Sequence, residues 1–235
     1  MRVIGISNKG LKKEINEDCY LIDDSVLYDS SFDSDKATAA FVCDGVSNSN
    51  SSLQASKFVC EEITNSYLNI KSEREYINSI NNKLIKNYKD SHTTIAGVFI
   101  KEDKITSVNV GDTKVYILKN DVLTQISIDD TYYEYLKSIN DPSYVNYKNS
   151  HIITACLGSK VFNKNSVHVV DIDNDLKKGD CIIVCSDGVS DMVEKDKLEY
   201  YLSLKESLEV RVDKIEKRIA FKGAKDNYTM LVIEF

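Results

Sequence analysis

Four acidic positions in the 235-residue chain stand beside a glycine or an asparagine where an apolar run begins or ends. Phe41-Val42-Cys43 runs into Asp44-Gly45, Val108-Asn109-Val110 into Gly111-Asp112, and Ile182-Ile183-Val184-Cys185-Ser186 into Asp187-Gly188. Asp226-Asn227 directly precedes the last apolar run. An aspartate at the end of a buried strand is held on a rigid base. A glycine beside it lets the backbone turn sharply and brings a carbonyl oxygen close to a ligand. Carboxylates that converge repel one another unless a cation sits among them. Hard cations such as Mg²⁺ and Mn²⁺ take oxygen donors: carboxylates, carbonyls and water. Two such cations about 4 Å apart activate a shared water and clamp a phosphoryl group for in-line displacement. Singly, Asp-Gly is a common turn dipeptide. The ordered set is what points to chemistry.

The elements that must position these residues follow from the hydrophobic pattern. Strand-like runs occupy residues 3–7, 19–22 and 37–43. Two amphipathic helices follow: Ala55, Phe58, Val59, Ile63 and Tyr67 recur at helical steps after Ser51, and Ile77, Ile80, Leu84 and Tyr88 after Ser72. Strands are expected at 94–100, 105–110, 115–118 and 122–126, with a polar turn at 101–104. Connections this short imply antiparallel neighbours, because a parallel crossover needs about a dozen residues. Residues 129–137 read as a short helix and 140–150 as a polar, irregular stretch, so that a flap spans about 131–150. Further strands are expected at 151–156, 167–172, 181–185 and 228–235, and a helix through Leu208, Val212, Ile215 and Ile219. The fold class is α+β: two stacked antiparallel β-sheets flanked by pairs of helices, a four-layer α-β-β-α sandwich. Residues 1–235 read as one domain, since no linker-like composition interrupts them.

Bulk composition narrows the function. Apolar residues make up 42%, enough for a packed core, and the net charge of −7 repels a phosphate backbone, so nucleic acid is not the expected partner. No run approaches the roughly 18 apolar residues of a membrane span, and the opening apolar run is too short for a signal peptide. None of the six cysteines forms a Cys-x-x-Cys pair, and most sit inside apolar runs as small hydrophobes. Reduced thiols fit a cytoplasmic location. His92, His151 and His168 are scattered without metal-ligand spacing and read as ordinary side chains, although His151 borders the flap.

Several short segments, taken in order, carry a resemblance. They are Ser7-Asn8-Lys9-Gly10, Asn16-Glu17-Asp18, Asp44-Gly45, Ala55-Ser56, Thr93-Thr94, Gly111-Asp112-Thr113-Lys114-Val115-Tyr116, Leu157-Gly158, Ser186-Asp187-Gly188 and Asp226-Asn227-Tyr228-Thr229. Together they resemble the metal-dependent protein phosphatases, the type 2C serine/threonine phosphatases in their compact bacterial form, over almost the whole chain. The resemblance implies hydrolysis of phosphoserine and phosphothreonine by a water that bridges two Mn²⁺ or Mg²⁺ ions. Asp44 would bridge both cations. The Gly45 carbonyl would ligate one of them, with Glu17 and Asp18 holding its waters. Asp187 and Asp226 would ligate the other, and Asp112 with Asp187 could hold a weaker third ion. Asn227 would orient Asp226 or the loop. The implied partner is a phosphorylated protein in a signalling pathway, opposed by a serine/threonine kinase, with the phosphatase itself a monomer.

The sequence departs from the family pattern at four places. Lys13 stands where the family usually has a phosphate-gripping arginine, and supplies the charge without the planar fork. Val46 stands where many eukaryotic members carry a histidine, and cannot donate a proton. Ser47-Asn48-Ser49-Asn50 replaces the usual glycines, and Lys114 replaces an arginine. Lys13 and the altered turn leave room for an alternative, a phosphatase fold that has lost turnover and acts as an adaptor. A two-metal nuclease is a further alternative, disfavoured by the acidic balance.

Overall fold

The central strands are apolar on both faces because each lies between a helix layer and a second sheet. The computed structural model describes residues 1–67, 70–101, 104–148, 151–173 and 175–235. In chain order the strands are β1 (Arg2–Asn8), β2 (Cys19–Ile22), β3 (Ser25–Leu27), β4 (Ser31–Ser34), β5 (Ala39–Cys43), β6 (Ile95–Ile100), β7 (Ile105–Val110), β8 (Lys114–Lys119), β9 (Val122–Gln125), β10 (His168–Ile172), β11 (Cys181–Cys185) and β12 (Tyr228–Glu234). The helices are α1 (Ser52–Ser66), α2 (Glu73–Asn87), α3 (Tyr132–Ser138), α4 (Asp187–Ser190), α5 (Lys195–Leu202) and α6 (Leu208–Phe221). One sheet has the order β4-β1-β12-β11-β8-β9 and the other β10-β7-β6-β5-β2-β3. Every strand pairing is antiparallel.

Alternate residues of each strand serve different layers, as the period of two requires. Ile182, Val184, Leu231 and Ile233 join Ala40, Val42, Ala96 and Val98 in the layer between the sheets. Their neighbours Cys181, Ile183, Cys185, Met230 and Val232 pack with Leu198, Leu202, Val212, Ile215 and Ile219 of α5 and α6. On the other side Phe41, Cys43, Ile95 and Val108 pack with Ala55, Val59 and Ile63 of α1 and Ile77, Ile80 and Leu84 of α2. Three apolar layers between four layers of secondary structure make the α-β-β-α sandwich the sequence implies. Ser72, Thr131 and Ser207 cap α2, α3 and α6 by accepting a hydrogen bond from the backbone N–H three residues on.

The structure departs from the sequence reading at the edges. Residues 151–156 do not form a strand; Ile153 makes only an isolated bridge to Thr131. That bridge closes the base of the flap instead of extending a sheet. Within the flap, Pro142–Tyr147 is a 3₁₀ helix where the sequence suggested irregular chain. Of the expected turn at 101–104, Glu102 and Asp103 lie outside the described residues, as do Asn149 and Ser150 of the flap. The edge strands β3 and β4 are additional to the sequence reading. All six cysteines are free thiols; Cys156 alone is not fully buried.

Leu231 lies at the centre of the inter-sheet layer and is fully buried. Leu231→Ala should cost about 2–5 kcal/mol, since the cavity between two sheets can relax only partly. In urea unfolding the midpoint should fall with the slope unchanged. A loss well under 1 kcal/mol would show that this layer is not tightly packed.

Candidate metal centre

Strand register brings the acidic residues together. Cys19 is paired with Cys43, so Asp18 enters β2 where Asp44 leaves β5. Cys185 is paired with both Met230 and Lys114. Asp187 therefore leaves β11 beside the start of β12, which Asp226 precedes by two residues, and beside the start of β8, which Asp112 precedes by two. All five aspartates gather at one end of the sandwich. There Asp44, Asp112, Asp187 and Asp226 line a cleft of about 550 Å³ together with Gly45, Lys13, Asp191, His151 and Lys225.

The backbone around Asp44 is pinned from the next strand. Thr93 Oγ1 and the Thr94 N–H both donate to the Asp44 carbonyl, each at 2.8 Å, and Thr94 Oγ1 lies 2.5 Å from Thr113 Oγ1. Gly45 permits this closeness: a Cβ there would lie 2.6 Å from the Glu17 carbonyl oxygen and 2.9 Å from that of Ser52. A Cβ on Gly188 would fall 1.8 Å from the Asn227 carbonyl oxygen, so only glycine lets the start of α4 sit against the strand that presents Asp226.

Glu17 and Asp18 lie in the wall beneath the cleft. The Glu17 carboxylate accepts from Ser47 Oγ at 2.7 Å and from Ser52 Oγ. Asp18 is fully buried; its Oδ2 accepts from Ser186 Oγ at 2.8 Å, while its Oδ1 has no protein partner among the described residues. Asn227 does not orient Asp226 with its side chain but clamps the preceding loop. Its Oδ1 accepts the Glu17 N–H at 2.9 Å, and its Nδ2 donates to the carbonyls of Lys9 and Ile15 at 3.0 and 2.9 Å. Lys13 is held in the cleft, with Nζ 2.8 Å from Asp226 Oδ1, 3.0 Å from Ser47 Oγ and 4.0 Å from Glu17 Oε2. Burial pulls the Lys13 ammonium toward neutrality, but the bond to Asp226 and the charges of Asp226, Glu17 and Asp44 together outweigh it, so its pKa is raised and the charge stays.

The carboxylates are pushed the other way. Burial, then the charge of Asp187, raises the Asp112 carboxyl to about 6. Burial, reinforced by the charge of Asp187 and opposed by the hydrogen bond from Ser186, raises Asp18 to about 7. Burial and the charges of Asp18, Asp187 and Asp112 hold Asp44 well above the usual carboxylate range, and burial with Asp191 and Asp226 raises Asp187. The donor set is all oxygen, its negative charge exceeds that of Lys13 and Lys225, and a buried carboxylate oxygen lacks a partner. These residues fit a hard divalent cation.

Several participants were not singled out from the sequence. Asp191 follows Asp187 by four residues, one helical turn, and reaches the same cleft; that spacing was the available signal. Ser47, Ser52 and Ser186 hold the Glu17 and Asp18 carboxylates by their hydroxyls, a role the sequence did not assign to them. His92 and His168 do not line the cleft, and His168 Nε2 instead sits 2.8 Å from Asp130 Oδ1.

A carboxylate whose folded pKa exceeds its unfolded value near 4 favours the fold at acid pH and loses that contribution as pH rises through the folded pKa. With Asp112 near 6 and Asp18 near 7, the metal-free protein should lose stability between about pH 4 and pH 7. Mn²⁺ should restore it most strongly at the alkaline end, and Asp18→Asn should flatten the metal-free slope. Thermal unfolding in chelator across this range checks both; a midpoint that rises with pH would contradict the assigned charge balance.

The sequence profile of the family described as protein phosphatase 2C matches residues 20–220. The serine/threonine phosphatase Stp of Listeria innocua is 28% identical over 145 residues, which are 60% of this chain and 56% of that protein. The chain thus spans little more than half the length of that relative. Among solved structures, serine/threonine phosphatase Stp1 from Staphylococcus aureus superposes with a TM-score of 0.82 at 20% identity, covering 99% of this chain and 94% of that one. The catalytic domain of PstP in complex with two manganese ions gives a TM-score of 0.76 at 18% identity, covering 100% of this chain and 99% of that one. These two likenesses establish the shared fold, and the profile match over residues 20–220 establishes the kinship: the chain belongs to the protein phosphatase 2C family.

Proposed function

We propose that this protein is a metal-dependent serine/threonine protein phosphatase whose residues 1–235 act as one catalytic domain. The observation that carries the reading is the meeting of Asp44, Asp112, Asp187 and Asp226 from separate strand ends in one cleft, with more negative charge than the protein neutralises. Family membership supports it, as do the relatives named serine/threonine phosphatases and the manganese in PstP.

Asp44 feels the charges of Asp18, Asp187 and Asp112 and is the candidate to be shared by two cations. The Gly45 carbonyl, with Glu17 and Asp18 behind it, would serve one ion; Asp187 and Asp226 would serve the other; Asp112 extends the set toward a third. Mn²⁺ or Mg²⁺ bound there would supply an activated water and charge stabilisation at the phosphoryl group. Lys13 brings a fixed positive charge to the cleft mouth and would neutralise a phosphate oxygen, exchanging its bond to Asp226 for one to substrate. Val46 has no proton to give, so no side chain at that position protonates the leaving alkoxide.

The substrate class is a phosphorylated protein, whose phosphoester a serine/threonine kinase must have made. The flap at about 131–150 would help select it. We place the protein in the cytoplasm as a monomer; its free thiols support a reducing compartment, and no helix among the described residues is long and apolar enough to cross a membrane.

Hydrolysis of a phosphothreonine peptide should require Mn²⁺ and stop in chelator. Asp44→Asn and Asp187→Asn should each lower kcat by about 10²-fold or more. Lys13→Ala should cost about tenfold, mostly in KM, as expected for a lost charged hydrogen bond to phosphate. Tight Mn²⁺ binding by calorimetry with no turnover in the unmodified protein would favour the adaptor reading instead.

A further inference from the structure

We propose that the ridge made by residues 9–15 and 221–225, along one side of the metal cleft, binds an acidic stretch of the phosphoprotein next to its phosphoresidue, with an apolar side chain of that stretch set among the lysines. The proposal rests on the phosphatase reading and names what the substrate carries beyond the phosphate. The two turns of the ridge are built against each other. The Leu11 N–H donates to the Ala224 carbonyl at 2.8 Å, and a Cβ on Gly10 would lie 2.3 Å from the Asp226 carbonyl oxygen and 2.7 Å from that of Ala224. Asn227 Nδ2 holds the carbonyls of Lys9 and Ile15 together, which closes the first turn on itself. The second turn ends α6. The Gly223 N–H donates to the Ala220 carbonyl and the Ala224 N–H to the Ile219 carbonyl, each at 3.0 Å, with Gly223 in the left-handed region at φ +99°. The ridge is therefore fixed before any partner arrives, and little ordering cost falls on binding.

What the ridge exposes is unlike the rest of the surface. Leu11, Ile15 and Phe221 are 72%, 56% and 80% exposed. Single apolar side chains in water are ordinary, but three on adjoining turns beside a cleft mark a contact surface. Lys9, Lys12 and Lys225 are exposed on the same turns, and among the described residues no carboxylate pairs with their ammonium groups, whereas Arg218 and Lys222 are tied to Glu194. Glu14 is the one carboxylate of the first turn. On a chain with a net charge of −7 this is a local reversal of sign. The ridge is also continuous with the cleft, since Lys13 and Lys225 line both. Toward the flap the wall carries Asp129, Glu134 and Asp191 against Lys114 and Lys148. An acidic segment is repelled on that side and drawn to the ridge, so the cleft has an electrical polarity that sorts substrates by what flanks the phosphate.

Three peptides with a non-hydrolysable phosphonate in place of phosphothreonine test this by fluorescence anisotropy in Mn²⁺: one flanked by Asp, Glu and Leu, one by Ala, and one by Lys and Arg. The acidic peptide should bind about tenfold or more tighter than the basic one, and the gap should narrow as salt rises. Lys9→Glu combined with Lys12→Glu should abolish or invert that order. Leu11→Ser combined with Phe221→Ser should weaken the Leu-bearing peptide about threefold or more and leave the Ala-flanked peptide unchanged. Hydrolysis of p-nitrophenyl phosphate, which has no flanking chain, should be the same in both double variants as in the unmodified protein. Equal binding of the three peptides, or an order that survives the charge reversal, overturns the proposal and leaves the phosphatase reading standing. Phosphatidylglycerol vesicles that capture the unmodified protein but not the charge-reversed one, without discrimination among the peptides, overturn it in favour of a lipid surface. The expected order of binding in a protein that turns over neither substrate upholds the ridge and removes the phosphatase reading.

Discussion

Like charges held together at one end of a sandwich are the condition that the rest of this structure answers to. Asp18, Asp44, Asp112 and Asp187 are all pushed toward protonation by burial and by neighbouring carboxylates. No arrangement of that kind persists on its own energy. It is imposed by strand register, and register is imposed by apolar layers that cannot slip by one residue without turning every side chain to the wrong face. The three layers around Leu231, Ile183 and Phe41 therefore do more than stabilise the fold. They hold carboxylates where water and mutual repulsion would otherwise drive them apart, and they leave a bound cation as the remaining source of relief.

Much of the fold was legible because the strands that carry it are long apolar runs with short links. Those strands are buried on both sides, so they show no alternation, and the two-sheet arrangement had to be argued from strand number and connection length. What escaped is the short helix α5 and features at the edges. Ser-Phe-Asp-Ser of β4 has no strand pattern, because only its pairing with β1 makes it one. Residues 151–156 have a strand's composition, yet their role is to close the flap at Thr131. The aspartates at strand ends were visible singly. Their convergence came only from the family resemblance, since from the residues themselves it depends on which strands pair, and pairing is a property of the whole chain. Asp191 escaped for a related reason: it acts through a single turn of helix too short to show periodicity.

The cleft also shows how a lysine is accommodated where the family favours a planar fork. Ser47 Oγ lies between Lys13 and Glu17, donating to the carboxylate at 2.7 Å while accepting from the ammonium at 3.0 Å. The serine that replaces a glycine after Asp44 is thus part of the same adjustment as the lysine. A compact ammonium needs a relay to hold its place, and the altered turn provides one.

The pairing of β1 with β12 runs from Arg2 against Glu234 to Asn8 against Tyr228, and Asn227 fastens the loop that follows β1. Two strands more than 200 residues apart are thus neighbours within one sheet. During synthesis the first strand waits for the last, and ribosomes add only about 5–20 residues per second. Until β12 emerges, Asp44 and Asp18 have no partner sheet, Asp226 does not yet exist, and β1 presents an open edge. The full set of carboxylates is therefore assembled only when β12 takes its place between β1 and β11.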